Sequence, residues 1–179
     1  MIVAFFLREA DRSCGPPRGL PDGLTLQVWR PRGRGTRSAL TADALRLGVT
    51  IQDKLGLFDD DRYTEFSLWC ATTRVHRLIV TPRWHRFPFM ARGDLQLGGL
   101  WTHPGWRRRG LARSAVAEAH SLFDAPGQRY WYVADTSNAA SMALARAAGY
   151  RIVGQGRRTR PMGLAILGQF RLEREHAAA

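Results

Sequence analysis

The sequence predicts a single α/β domain built on a mixed sheet. Strand-like and helix-like runs alternate through the middle of the chain, which requires crossover connections and hence a parallel portion of sheet. Two β-rich runs, Tyr63–Thr72 and Arg74–Pro82, lie so close together that a hairpin is the natural connection, which adds an antiparallel portion. A length of 179 residues, 45% of them hydrophobic, is enough for one full core and short for two.

The elements follow in order. MIVAFFL at the start reads as an extra strand or a frayed end; no basic segment precedes it and no small-residue cleavage site follows, so it is not read as a signal peptide. Residues 1–23 are expected to form an N-terminal extension or loop, residues 24–174 the domain, and residues 175–179 a disordered tail. CGPPRGLPD (Cys14–Asp22) is too rich in Pro and Gly for regular structure. LTLQVWRP (Leu24–Pro31) alternates apolar and polar residues as a strand does, and Thr41–Leu57 carries leucines and valine at helical spacing before Asp59, Asp60 and Asp61 close it. After the hairpin comes an aromatic and basic loop, RWHRFPFMARG, and then the strand DLQLGGLWT (Asp94–Thr102). A helix from Leu111 to about Phe123 presents Leu111, Ala115, Ala119 and Leu122 on one face and stops at Pro126 and Gly127. QRYWYVAD is a strand; Ser137 or Asn138 caps the helix after it, which ends at Gly149. YRIVGQGRR and AILGQFRLER are the last strands, separated by TRPMG.

Composition excludes several functions. No stretch approaches the roughly 18 apolar residues that span a bilayer, so no membrane association is expected. Cys14 and Cys70 have neither metal-ligand spacing nor a disulfide framework, which fits a reducing cytoplasm and implies no metal. The net charge of +12 invites a nucleic-acid reading, but Lys54 is the sole lysine among 27 basic residues, a bias that often reflects genome composition. The charge is spread from Arg8 to Arg174, with no RNP, zinc-finger or helix-turn-helix signature, so a nucleic-acid partner is not expected. A negatively charged small molecule remains a natural ligand.

The stretch HPGWRRRGLARSAV (His103–Val116) carries the chemistry. A strand ends at Thr102, Pro104 and Gly105 break it, and a helix begins near Gly110. The first turn of a helix has unpartnered N–H groups and a partial positive charge, glycine lets an anion approach, and arginine adds a fixed fork of donors. The spacing is neither GxxxxGK[ST] nor GxGxxG. It is R-x-x-G-x-A, with Arg107, Gly110 and Ala112, and here the chain resembles the GCN5-related N-acetyltransferase (GNAT) superfamily, whose signature is Q/R-x-x-G-x-G/A at this turn. NAASMALARAAGY (Asn138–Tyr150) resembles the family's second motif, with Asn138, Ser141, Leu144, Gly149 and Tyr150 in register.

The resemblance implies a GNAT-like acyl-CoA N-acyltransferase fold and attack of a neutral amine on the thioester of acetyl-CoA, the cosubstrate. It implies that Leu100, Trp101 and Thr102 align the pantetheine, with an N–H in Leu100–Trp101 facing the developing oxyanion. Arg107, Arg108, Arg109, Gly110, Leu111 and Ala112 would hold the pyrophosphate, with Asn138 beside the cofactor arm. Where many members carry a tyrosine that protonates the leaving thiolate, this chain has Ala145; Ser141 or a water is the substitute, unless Ser141 only packs. Asp94 and Glu65 rank ahead of His103 as general base, because His103 sits in the cofactor loop; His76, His85 and His120 are expected at the surface or in packing.

In this fold the acceptor usually enters between the early helical segment and the connection of the last two strands. Here that connection carries Arg157, Arg158 and Arg160, and the aromatic loop adds Trp84, Arg86 and their neighbours. Guanidinium groups bind phosphate or carboxylate and rings stack on planar groups, so the expected acceptor is a small anionic amine such as a nucleotide-linked amino sugar. A solvated basic face would give the same residues. The alternatives are acetylation of a protein amine and a non-catalytic acyl-CoA-binding module, and a homodimer is a candidate assembly.

Overall fold

The structure is a computed structural model, and it describes residues 2–10, 20–31, 44–159, 161–163 and 168–173. Its strands are β1 (Ile2–Glu9), β2 (Leu24–Trp29), β3 (Thr64–Cys70), β4 (Thr73–Pro82), β5 (Leu95–Thr102), β6 (Arg129–Asp135), β7 (Arg151–Arg158) and β8 (Phe170–Glu173). Helix α1 (Ala44–Lys54) precedes β3, α2 (Leu111–Phe123) joins β5 to β6, and α3 (Ala139–Ala147) joins β6 to β7. The strands form one sheet in the order β2-β3-β4-β5-β6-β1-β7-β8. Only β5 and β6 run parallel, as expected for strands linked through a helix; every other pair is antiparallel.

The domain boundary expected at residue 24 is corrected here. Ile2–Glu9 lies between β6 and β7 inside the sheet, pairing with both, so these residues are part of the domain rather than an extension to it. Its side chains alternate: Ala4 and Phe6 join the core under α2 and α3, while Val3, Phe5 and Leu7 pack with Phe87, Met90 and Trp131 on the other face. A strand covered on both faces reads as an unbroken apolar run, which is why the period-2 signal is missing from MIVAFFL. The tail at 175–179 lies outside the described residues. No described helix is long and apolar enough to cross a membrane.

Two departures from regular pairing shape the site. The ladder between β4 and β5 matches Ile79 with Gly98 but Arg77 with Trp101, so Gly99 and Leu100 together stand opposite Leu78. That β-bulge is possible because Gly99 takes a left-handed φ of +58°. The parallel ladder between β5 and β6 ends at Leu97 and Tyr132; beyond it β5 pairs with β4 and β6 with β1, leaving a wedge between them.

Candidate active site

The wedge has a cavity on each side. A groove of about 600 Å³ is lined by Leu100, Trp101 and Thr102 of β5, by Arg107, Arg108 and Gly110 of the following loop, and by Leu111 and Ala112 of α2. Trp106 of the loop, Arg113 of α2, Tyr132 of β6, and Asn138, Ala140, Ser141 and Leu144 of α3 and its cap also line it. The second cavity, of about 460 Å³, lies under α1 and is lined among others by Gly48, Val49 and Gln52, by Trp84, Arg86 and Phe87, and by Arg158 and Phe170. Gly99 and Val133 line this cavity, and their chain neighbours Leu100 and Tyr132 line the groove, so the two spaces flank the apex of the wedge.

The loop into α2 is built to receive an anion. His103 ends the strand, its Nδ1 accepting from Gly105 N at 3.2 Å, and Pro104–Trp106 form one tight turn. Arg108 and Gly110 both hold left-handed φ, +61° and +78°. Gly110 caps α2 without any side-chain bond, so the free N–H groups of the first turn face the groove. Helix α3 differs: Asn138 Oδ1 accepts from Ser141 N at 3.0 Å. These features fit a diphosphate: exposed main-chain donors, three groove-lining arginines (Arg107, Arg108 and Arg113) and, among the described residues, no acidic side chain in the lining.

Most residues singled out in the sequence come together here. Leu100, Trp101, Thr102, Arg107, Arg108, Gly110, Leu111, Ala112, Asn138 and Ser141 all line the groove. Arg109 does not; its guanidinium lies over the Trp106 ring at 4.7 Å. Ser141 Oγ lies 2.7 Å from Tyr132 Oη. Burial pushes the Tyr132 hydroxyl above its ordinary value of 10.0, and the Ser141 bond acts the other way. Thr102 Oγ1 bonds His76 Nδ1 at 2.8 Å, and burial lowers His76 to about 4.

Both leading candidates for the general base are corrected. Asp94 precedes β5 at the far end of the sheet and lines neither cavity of the wedge. Its carboxylate accepts from Arg129 Nε at 2.8 Å and Nη2 at 3.0 Å, from Trp131 Nε1 at 2.7 Å and from Ala91 N at 2.9 Å, which ties β5, β6 and the aromatic loop together. Glu65 is buried on β3, accepting from Arg46 at 2.8 Å and Ser67 at 2.8 Å, and fixes α1 to the sheet through Arg46, whose guanidinium also lies over Trp29. With their lone pairs engaged, neither carboxylate meets an incoming amine. His120 is also spent inside, bonded to Arg8 and, at 2.8 Å, to Tyr150 Oη; burial and Arg8 lower it to about 3.

The acceptor-side expectations divide by strand alternation. Arg158 and Trp84 line the second cavity; Arg157 points the other way, exposed, 3.6 Å from Glu173, which corrects its assignment. Arg160 lies outside the described residues. Arg86 is the stronger addition: it lines the cavity with its guanidinium over the Trp84 ring at 4.8 Å, and burial, then the charge of Arg158, pull it below its ordinary value. The buried Nε of Arg86 and Nε1 of Trp84 have no hydrogen-bond partner among the described residues. Tyr132 went unnoticed in the sequence, where YWY reads only as a strand; no residue pattern there announces a groove.

The acetyltransferase (GNAT) family matches residues 59–150. Among solved structures, a GNAT-family protein from Novosphingobium aromaticivorans is 18% identical, with a TM-score of 0.54 over 87% of this chain and 62% of that one. A GCN5-related N-acetyltransferase from Sphaerobacter thermophilus is 17% identical, with a TM-score of 0.57 over 86% of this chain and 49% of that one. An aminoglycoside acetyltransferase from an uncultured soil metagenomic sample is 10% identical, with a TM-score of 0.50 over 72% and 88%. At these identities the likeness is one of fold, and the chain spans about half to three fifths of the length of the first two. No curated protein matches the chain.

Proposed function

The chain belongs to the acetyltransferase (GNAT) family, and on that premise we propose that it transfers the acetyl group of acetyl-CoA to the primary amine of a small anionic acceptor, with a nucleotide-linked amino sugar as the type. The observation that carries this reading is that the groove and the arginine-lined cavity flank one wedge, lined by neighbouring residues of β5 and β6. Acetyl-CoA supplies the activated acyl group when bound. Toward it, the open start of α2 with Arg107 and Arg108 would hold the diphosphate, and the β5 edge from Leu100 to Thr102 would align the pantetheine through its main chain. The bulge at Gly99 and Leu100 interrupts the ladder to β4, so an N–H in Leu100–Trp101 would face the charge developing on the thioester oxygen.

The acceptor would enter under α1. Trp84, Phe87 and Phe170 give the cavity ring surfaces, and Arg86 and Arg158 give it positive charge with no carboxylate among its described lining residues. Unpartnered buried donors on Trp84 and Arg86 support an anionic guest, because such groups cost about 1–3 kcal/mol each until something accepts from them. Calorimetry with acetyl-CoA tests the groove, and thiol release across a panel of nucleotide amino sugars, other anionic amines, neutral amines and peptides tests the acceptor. Absence of acetyl-CoA binding by folded protein refutes the reading. Binding without turnover on any amine would favour an acyl-CoA-binding module instead.

A further inference from the structure

A thiol has a reference pKa of about 8.5, so a thiolate leaving in a partly dehydrated groove gains from a nearby proton donor. Apart from Tyr132, the described polar side chains lining the groove are guanidinium, aliphatic hydroxyl, amide and indole groups, none of them a type that serves as a general acid near neutrality. Tyr132 is the one lining acid of suitable strength. It occupies the last rung of the β5–β6 ladder, opposite Leu97, and therefore stands at the apex of the wedge. Its ring is held edge-to-face by Phe6 at 6.2 Å and Tyr150 at 5.8 Å. Ser141, 2.7 Å from its oxygen, is itself fixed by the Asn138 cap. Position 145, one turn further along α3, is a fully buried alanine and offers no proton.

We propose that Tyr132 is the catalytic acid that delivers its hydroxyl proton to the sulfur of coenzyme A, with Ser141 donating to the tyrosine oxygen. The inference rests on the acetyl-transfer reading. The amine nitrogen forms its bond to the acetyl carbon, the carbon–sulfur bond breaks with its electron pair on sulfur, and sulfur takes the Tyr132 proton. The tyrosinate takes the Ser141 proton while half-exposed Ser141 takes one from water, and the proton lost by the amine returns to solvent, so the cycle closes. Burial keeps the Tyr132 proton in place at neutral pH, and the Ser141 bond stabilises the anion once the proton has gone.

The test is Tyr132→Phe, which retains the packing ring. With acetyl-CoA, kcat is expected to fall by about 10²-fold or more, in the range of general-acid effects, while calorimetric affinity for acetyl-CoA stays at the wild-type value. With the acetyl selenoester of coenzyme A, whose selenolate departs without a proton, wild type and variant should differ by no more than a few-fold. Ser141→Ala, at a half-exposed position, should show a smaller loss with the same dependence on the leaving group, and it carries the test if the ring change disturbs folding. An unchanged kcat in the folded variants overturns the proposal. So does an equal loss with both donors, which would mark a packing role. Wild-type protein that binds no acetyl-CoA overturns the acetyl-transfer reading itself, an outcome separable from the others because it appears before any variant is made.

Discussion

Substituting Gly99 by alanine strikes the feature on which the wedge depends. Two costs can be worked out. Alanine in a left-handed backbone conformation, here at φ +58°, costs about 1–2 kcal/mol. The new Cβ would also lie 2.6 Å from Cδ1 of Ile79, 3.0 Å from its Cγ1 and 3.3 Å from its Cβ. Turning the last torsion of Ile79 moves only Cδ1, so the rest of this buried, β-branched side chain has to shift, at about 1–3 kcal/mol. The total of about 2–5 kcal/mol is a large part of the 5–15 kcal/mol that holds a typical domain together.

Urea denaturation of wild type and Gly99→Ala would measure the loss. Ile79→Val removes Cδ1, so the double variant should recover about 1 kcal/mol of the steric part and none of the backbone part. Gly98→Ala is the control: its Cβ would meet the far end of Gln96, at 2.5 Å from Nε2, which can swing aside, and a loss under about 1 kcal/mol is expected. On the proposed reading Gly99→Ala should also weaken acetyl-CoA binding, because the bulge sets the course of β5 along the groove. A wild-type midpoint for Gly99→Ala, or no coupling with Ile79→Val, would refute this account of the bulge.

Asp94→Asn is expected to lower stability by about 2–3 kcal/mol, since Arg129 and Trp131 lose a charged acceptor, while kcat per folded molecule stays unchanged; a large fall in kcat would restore Asp94 as a base. Arg158→Glu and Arg86→Gln should each raise KM for an anionic acceptor at least ~10-fold, the order of one charge-assisted contact, and leave KM for a neutral amine nearly constant. Stability should fall on acidification from about pH 6.5 to about pH 4, because the unfolded chain protonates its histidines at about 6.5 while native His76 resists to about 4 and His120 to about 3. His76 alone accounts for about 3 kcal/mol of that loss, and urea midpoints that do not move over this interval would contradict the buried neutral histidines. Across amines sharing one anionic group, kcat/KM at pH 7 should fall about tenfold for each unit rise in amine pKa; an acid limb fixed at one pH for every amine would reveal a protein base instead.

That Arg107, Gly110 and Ala112 share one groove was legible because the signals are local. A helix start, its glycine and its arginines are consecutive residues, and R-x-x-G-x-A places them without any knowledge of the sheet. Whatever depends on register was not. Asp94 and Glu65 are carboxylates on strands near the loop, but which guanidinium each would meet is decided by pairing across the sheet, and each met one. Arg157 and Arg158 are indistinguishable in sequence; a one-residue alternation sends only the second into the cavity. The element order Leu24 to Glu173 follows the alternation of periods, whereas β1 escaped because burial on both faces erases the period. Tyr132 could emerge only from the tertiary wedge.

The cavity's lining bears on the kind of amine it suits. It contains two guanidinium groups and, among its described residues, no carboxylate or histidine. An amine with a lysine-like pKa of about 10.4 is neutral at pH 7 in about one molecule in 2,500, whereas an α-amino group near 7.8 is neutral in about one in seven. A site that removes no proton passes this ratio of several hundred directly into kcat/KM. Positive charge nearby deepens the bias, since it repels the ammonium form more than the neutral one. An anionic group on the same molecule offsets that repulsion only if it reaches Arg86 and Arg158 while the amine stays at Gly99 and Val133. If the cavity receives the acceptor as proposed, its charge pattern favours a weakly basic amine and an anion held together in one small molecule over the flexible, strongly basic side chain of a lysine.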